Sequence, residues 1–390
     1  MHIALTPAKI LKRLSGQQEY SAFETWQAVK TELSRSDCDA LSWSELFDAI
    51  SRNSTSICDS IILSACRKLA DSPHGVPNLS WRDLQSLSSF LPFTKSGGAI
   101  YEDLIMHCDP SVRIGSDLGY YNSSFLATGW GPDALHCFRS VSNGTTTAFE
   151  KVYKRKSPSI WRVQRFYTDI APVLQKKGMQ LPALYSMECG HVVVAAYIEL
   201  LPFQDQGYSD HELIDSAVAI TTQLAHVTLS GGQRDLADRF RKNRSYISSR
   251  RKAFRSIPGS IIGRAIALAE FEKKVQHLPI VFGHGDLAPV NFDSRGTVID
   301  WDDCGYYPVG YDLAFALSRI VAPTSVIEIE ELVASKVKKP TAADTWNQYL
   351  FSFLYFFLVF YVGKGSGNSA DQKQKFACET LCRLKELDVV

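Results

Sequence analysis

No stretch of this 390-residue sequence is apolar for long enough to cross a bilayer. The strongest candidate, LFSFLYFFLVFYV at 350–362, has 13 residues, against the ~20 that a membrane helix requires. It reads instead as a buried helix of a large core, with Thr341 and Asp344 as N-terminal polar signals and Gly363 as its stop. The N-terminus lacks an apolar core followed by a small-residue cleavage site, so no secretory signal is expected. An excess of charge of one sign is also missing. Lys and Arg number 42 against 41 Asp and Glu, net +1, which gives no global reason to expect nucleic acid or an anionic membrane as partner. The nine cysteines include no Cys-x-x-Cys pair. That argues against a zinc knuckle or a disulfide framework and for reduced thiols in a cytoplasmic setting. Repeats and low-complexity tracts are absent. What remains is an ordinary globular composition, 45% hydrophobic and 21% charged, with room for two or three domains.

Three regions emerge along the chain. Residues 1–115 carry apolar positions at three- and four-residue spacing and Ser-x-x-Glu/Asp capping signatures, as in SWSELF and SWRDLQ, and read as a helical N-terminal extension. DSPHGVPNLS (71–80) is a loop within it. His107 and Asp109 form a small polar pair, best read as satisfied loop residues. From 116 to 200 the pattern turns to strands. ALHCFRSVS and TTTAFEKVYK flank Asn143-Gly144, a strong short hairpin signal. A helix follows over 159–178, then the strand-like LPALYSME and HVVVAAYIEL. Three strands, a helix and two strands predict a small antiparallel sheet with one helix on it. Residues 201–390 are mostly helical.

One stretch breaks that last pattern. VFGHGDLAPVNFDSRGTVIDWDDCG (281–305) places Asp286, Asn291 and Asp300 in an apolar, strand-like setting. Read as a hairpin with loop residues Asp293, Ser294, Arg295 and Gly296, it pairs Phe292 with Thr297 and Asn291 with Val298. Asn291, Val298 and Asp300 then share one face, and Val290, Phe292, Thr297, Ile299 and Trp301 the other. Asn291 and Asp300 become diagonal neighbours, roughly 7–8 Å apart, able to chelate one Mg²⁺ at about 2.1 Å. Taken singly, each polar residue reads as a turn or cap; three on one hairpin point to a metal.

HGDLAPVN, VIDWDD and GYDLA together resemble the aminoglycoside phosphotransferase and choline kinase-like family of small-molecule kinases. That resemblance implies a two-lobed α+β fold like that of protein kinases: a small antiparallel-sheet nucleotide-binding lobe (116–200), a mostly helical catalytic and substrate-binding lobe (201–390), and here the added extension (1–115). By resemblance, Asp286 is the catalytic base that accepts the acceptor hydroxyl's proton. His284 orients the loop, Asn291 and Asp300 hold Mg²⁺ against the phosphates, and Asp312 organises the catalytic loop. Asp302 and Asp303 read equally as outlying metal partners or a solvated acidic turn. The expected cofactors are ATP, or another nucleoside triphosphate, and Mg²⁺; the expected partner is a small polar acceptor. Rival readings are a kinase acting on protein or nucleic acid, and a nucleotide-binding pseudokinase.

Upstream, Gly129 and Gly131 precede the second strand, where glycine lets backbone approach phosphate. In AFEKVY the family pattern assigns the phosphate lysine to Lys151. Strand alternation sets Phe149, Lys151 and Tyr153 against Glu150, Val152 and Lys154, so Lys154 cannot share the role. Relatives carry a helix glutamate that pairs with this lysine; here Val163 takes its place, with Gln164 next. Either the helix alignment slips or another group holds Lys151. The hinge is expected at Glu199-Leu200-Leu201-Pro202, with Glu199 and Leu201 offering backbone groups to adenine. For the acceptor, two signals suit a cation: the aromatic helix as a wall and the carboxylates Glu328, Glu330 and Glu331. Both fit ordinary core and a solvated helix face as well.

Overall fold

The structure, a computed structural model, describes residues 81–88, most of 101–135, 137–201, 208–227, 240–338 and 343–387, with a few short gaps. The helical segments expected before residue 80, the loop 71–80, His107, Gly129, Gly131 and Thr341 lie outside the described residues. The chain divides into two compact units. The first holds the described residues up to Ile160 together with Ala183–Leu201; the second holds Trp161–Pro182 and Pro202 onward.

In chain order the first elements are α1 (Trp81–Ser88), β1 (Asn122–Thr128), β2 (Cys137–Ser142) and β3 (Thr147–Lys154). Then come α2 (Pro158–Arg165), a π-helical turn (Phe166–Ile170), α3 (Ala171–Lys176), β4 (Leu184–Cys189) and β5 (Val193–Glu199). The five strands form one antiparallel sheet in the order β1-β2-β3-β5-β4. The β2–β3 connection holds because Asn143 uses its side-chain oxygen to accept hydrogen bonds from the backbone of Thr145 and Thr146. Gly144, at φ 88°, takes the left-handed position that glycine enters without a Cβ penalty.

The two faces of β3 do different work. Glu150, aligned with Arg139 on β2 and Tyr197 on β5, is fully buried and takes both prongs of the Arg139 guanidinium, at 2.6 and 2.8 Å. Arg139 also reaches Glu102 at 2.7 Å and lies over the Tyr101 ring. Burial works against the Arg139 charge, but Glu150 and Glu102 hold its pKa above the ordinary value. Bidentate geometry is what lets a buried pair offset its desolvation. Residues 101–115 are thus tied to the back of the sheet. Asp109, 1% exposed, reinforces this by accepting hydrogen bonds from Ser111, Val192 and Val193.

The second unit continues with α4 (Asp210–Ala225), α5 (Arg244–Ser256), α6 (Ile261–Val275), β6 (Ile280–Gly283), β7 (Gly305–Pro308), α7 (Tyr311–Ile320), α8 (Val326–Lys336), α9 (Ala343–Lys364) and α10 (Ala370–Glu386). The aromatic stretch forms α9, buried from Leu350 to Val362 and packed against α5, α7 and α10. Among the described residues no helix is long and apolar enough to cross a membrane. Gly363 is not the stop expected from the sequence. The helix runs through it to Lys364, and a Cβ there would lie 2.4 Å from the Ser249 carbonyl; it permits close approach of α5.

Val163 is 1% exposed, in the part of the chain that folds with the second unit. Placing a carboxylate there should cost on the order of 3 kcal/mol, because an unpaired buried charge is among the few severe lesions. Val163→Glu is therefore expected to lower the urea midpoint of unfolding clearly. An unchanged midpoint with tighter nucleotide binding would instead make position 163 a partner for Lys151.

Candidate active site

Strand β6 delivers His284 and Gly285 into a loop fixed from several sides. The Asp312 carboxylate, in the first turn of α7, accepts hydrogen bonds from the His284 and Gly285 backbone N–H groups at 2.6 and 2.9 Å. Gly285 sits at φ 84°, and a Cβ there would come within 2.3 Å of the Asp303 carbonyl and the Tyr307 hydroxyl. Only glycine satisfies both the angle and the space. His284 is fully buried. Its Nδ1 accepts the Asp286 N–H at 3.2 Å, so Nε2 carries the proton and donates to the Ile299 carbonyl at 2.8 Å. Both ring nitrogens are engaged with backbone, which suits an orienting role.

Asp286 follows in a half-buried position. The Ser245 hydroxyl donates to its Oδ1 at 3.1 Å. Burial and the Asp300 carboxylate push the Asp286 carboxyl above its usual range, opposed by His284, Ser245 and Arg319. Asn291 donates its side-chain N–H to the Asp286 carbonyl at 2.9 Å, which leaves its side-chain oxygen as the atom able to meet a cation.

The 290–301 segment departs from the hairpin read in the sequence. The bridge joins Phe292 to Val298, one residue out of the expected register, and Val290, placed on the apolar face by alternation, is 68% exposed. Asn291 ends a 3₁₀ turn (Pro289–Asn291), and Asp300 leaves the strand direction altogether at φ 65°, ψ 63°. The cause is local. Asp293, fully buried, accepts the N–H groups of Arg295 and Thr297 and holds a connection one residue longer than expected. Asn291 and Asp300 are loop residues, then, not diagonal strand neighbours. Asp300 is the single non-glycine residue with positive φ among the described residues, and such strain persists where surrounding structure imposes it. Here Trp301 does so, its indole N–H donating to the Val298 carbonyl and its ring stacked on Phe166 at 3.9 Å.

The donor set suits Mg²⁺. Asn291 and Asp300 offer hard oxygens, and the Asp300 carboxylate raises the Asp286 and Asp303 carboxyls beyond the effect of burial, the signature of negative charge that a cation would relieve. Among the described residues no three His, Cys, Asp or Glu side chains form a complete metal cage. Mg²⁺ characteristically takes one or two protein oxygens and completes its shell with water and phosphate.

Two contributors were not legible in the sequence. Asn243, the N-cap of α5, holds the Gly285 carbonyl at 2.8 Å, and Ser245 meets Asp286 from the first turn of the same helix. Asn before a helix signals a cap, but nothing in RKNRSY announces a partner some forty residues on. Asp303 is tied to Arg162 at 3.5 Å and through its carbonyl to Tyr307.

In the first unit, Lys151 is 5% exposed, with its ammonium 5.0 Å from the Phe138 ring centroid and 5.4 Å from that of Tyr153. Lys154 is exposed. Glu150 is committed to Arg139 on the other sheet face, as alternation requires. Glu199 exchanges hydrogen bonds with Ala183, backbone to backbone and through its carboxylate. Leu201, half-buried, is the last residue before the chain enters the second unit.

Comparison with known proteins identifies the family. A family model described as "Phosphotransferase enzyme family" matches residues 139–344, just over half of the chain. No curated protein matches. Similar solved structures include a microcompartment-associated aminopropanol kinase (14% identity, 69% of this chain and 94% of that one, TM-score 0.40). An ethanolamine kinase of Plasmodium vivax (14%, 79% and 94%, 0.43) and a choline kinase of Streptococcus pneumoniae (15%, 69% and 95%, 0.40) are also similar. The assignment rests on the family model, whose match spans both Lys151 and the 284–312 segment: the chain belongs to the phosphotransferase enzyme family, with the two-lobed α+β fold of kinases that phosphorylate hydroxyl groups.

Proposed function

We propose that this chain transfers the γ-phosphoryl group of ATP, with Mg²⁺, to a hydroxyl group of a small polar molecule. The observation that carries the reading is the Asp286 carboxylate, one oxygen held by Ser245 and the other left for an acceptor, beside Asn291 and the strained Asp300. Asp286 takes the hydroxyl proton as the acceptor oxygen bonds to the γ-phosphorus; the bond to the β-phosphate oxygen breaks and ADP leaves. The raised pKa of Asp286 favours that proton transfer. Asn291 and Asp300 would hold Mg²⁺, which when bound neutralises charge on the phosphates. Lys151 is assigned to the α- and β-phosphates, with Glu199 and Leu201 near the adenine and Gly129 and Gly131 at the phosphate-covering loop.

ADP formation by the full chain, measured across hydroxyl compounds, tests the reading. It should rise well above the acceptor-free rate for at least one class; slow hydrolysis indifferent to every acceptor would contradict it. The lysine assignment has its own test. Lys151→Met keeps the apolar stem and removes the charge, so turnover should fall by about 100-fold or more. Lys154→Met, exposed on the opposite face, should stay within about twofold of wild type, as surface changes usually do. The reverse pattern would place the strand in the wrong register.

A further inference from the structure

The acceptor's charge can be read from what surrounds Asp286, taking the kinase reading as the starting point. Of the features that suited a cationic acceptor, the aromatic helix and two of the three glutamates are absorbed elsewhere. The α9 rings are buried against one another, with Tyr311 packed on Phe356 and Phe360. Glu328 accepts hydrogen bonds from Thr324 and its own N–H bonds to the cap Ser325, while Glu330 pairs with Arg383 at 2.8 Å.

Helix α5 presents the opposite sign. Arg244, Ile247, Ser248, Arg251, Lys252 and Arg255 line one open groove of about 370 Å³. Their spacing of 3, 4, 7, 8 and 11 residues from Arg244 is a single stripe along the helix, ~16 Å long at 1.5 Å per residue. The four basic residues are exposed, and among the described residues no carboxylate lines the groove. Among the described residues, Glu272 meets α5 through Arg250 and is shared with Arg241, neither of which lines the groove. The stripe begins at the catalytic loop, since Ser245, between Arg244 and the groove residue Ser248, touches Asp286. Arg319 of α7 adds a second positive group within electrostatic reach of that carboxylate. Helix stability does not explain the placement. α5 opens with Arg and has no acidic residue in its first turn, against the preference of the helix dipole for negative charge there.

We infer that the acceptor is an anionic alcohol, a small molecule bearing phosphate or carboxylate groups that lie along the basic stripe of α5 while its hydroxyl meets Asp286. Its negative groups would be drawn in and oriented by Arg251 and Lys252, about two turns along α5 from Ser245, which holds Asp286.

The test is calorimetric titration of the full chain at physiological salt, with a non-hydrolysable Mg-ATP analogue saturating the nucleotide site. The probes are inositol 1,4,5-trisphosphate, uncharged myo-inositol and the polycation kanamycin. The trisphosphate should bind at least about tenfold more tightly than either. Arg251→Glu with Lys252→Glu should erase that preference, whereas reversal of Lys375 and Lys385, exposed on α10, should preserve it. If the first pair unfolds the protein, Arg251→Gln with Lys252→Gln keeps polar side chains and should weaken the trisphosphate selectively. Tighter kanamycin binding, no trisphosphate binding, or equal loss in both charge-reversed pairs would overturn the inference. Binding of the nucleotide analogue, and its weakening by Lys151→Met, reports separately on the kinase reading.

Discussion

Replacing Asp286 by Asn should lower phosphoryl transfer by about 10²- to 10⁴-fold, the range attributed to a positioned general base, with Mg-nucleotide affinity changed by less than about threefold. The substitution is nearly isosteric. Ser245 can donate to the amide oxygen as it does to Oδ1, and the backbone bonds from Asp286 to His284 and Asn291 are untouched. The amide cannot accept the hydroxyl proton, which isolates chemistry from binding. Single-turnover rates alongside nucleotide titration separate the two. Near-normal turnover would make Asp286 a structural residue of the loop.

The second large effect concerns Asp300. Removing its carboxylate should abolish the Mg²⁺-dependent strengthening of nucleotide binding, because it takes away the charged member of a two-oxygen donor set. Asn291→Ala should weaken that dependence less, since a neutral amide contributes less charge. The backbone supplies a sharper signature. At φ 65° an L-residue bears left-handed strain of about 1 kcal/mol, which glycine does not. Asp300→Gly should therefore raise the thermal midpoint while eliminating metal dependence, whereas Asp300→Ala should lose the metal effect with no gain in stability. Equal Mg²⁺ dependence in wild type and either variant would contradict the assignment of the cation to Asp300.

Where residue type and local period decide structure, the sequence was readable. The β2–β3 connection followed from Asn143-Gly144, the burial of α9 from an apolar run too short to span a bilayer, and the anchoring by Asp312 from its place in GYDLA. Alternation correctly separated Lys151 from Glu150. What failed was the register of 290–301. Period-two alternation assumes an unbroken strand, and the Asp293 turn and left-handed Asp300 each break it. Also hidden were contacts between residues distant in sequence. Asn243 and Ser245 hold Gly285 and Asp286 from another helix, and Arg139 holds Glu150 across the sheet. Val163 shows a different limit: an apolar residue where the family resemblance led to the expectation of a glutamate is, in place, an ordinary core residue.

The central claim is transfer of a phosphoryl group from ATP to an acceptor hydroxyl with Asp286 as base. ³¹P NMR of wild type and Asp286→Asn, each incubated with Mg-ATP and a mixture of hydroxyl compounds, tests it most directly. The account predicts that wild type converts ATP to ADP with a matching new phosphomonoester resonance, and that Asp286→Asn leaves ATP intact. Inorganic phosphate as the only product, formed equally by both proteins, would contradict it.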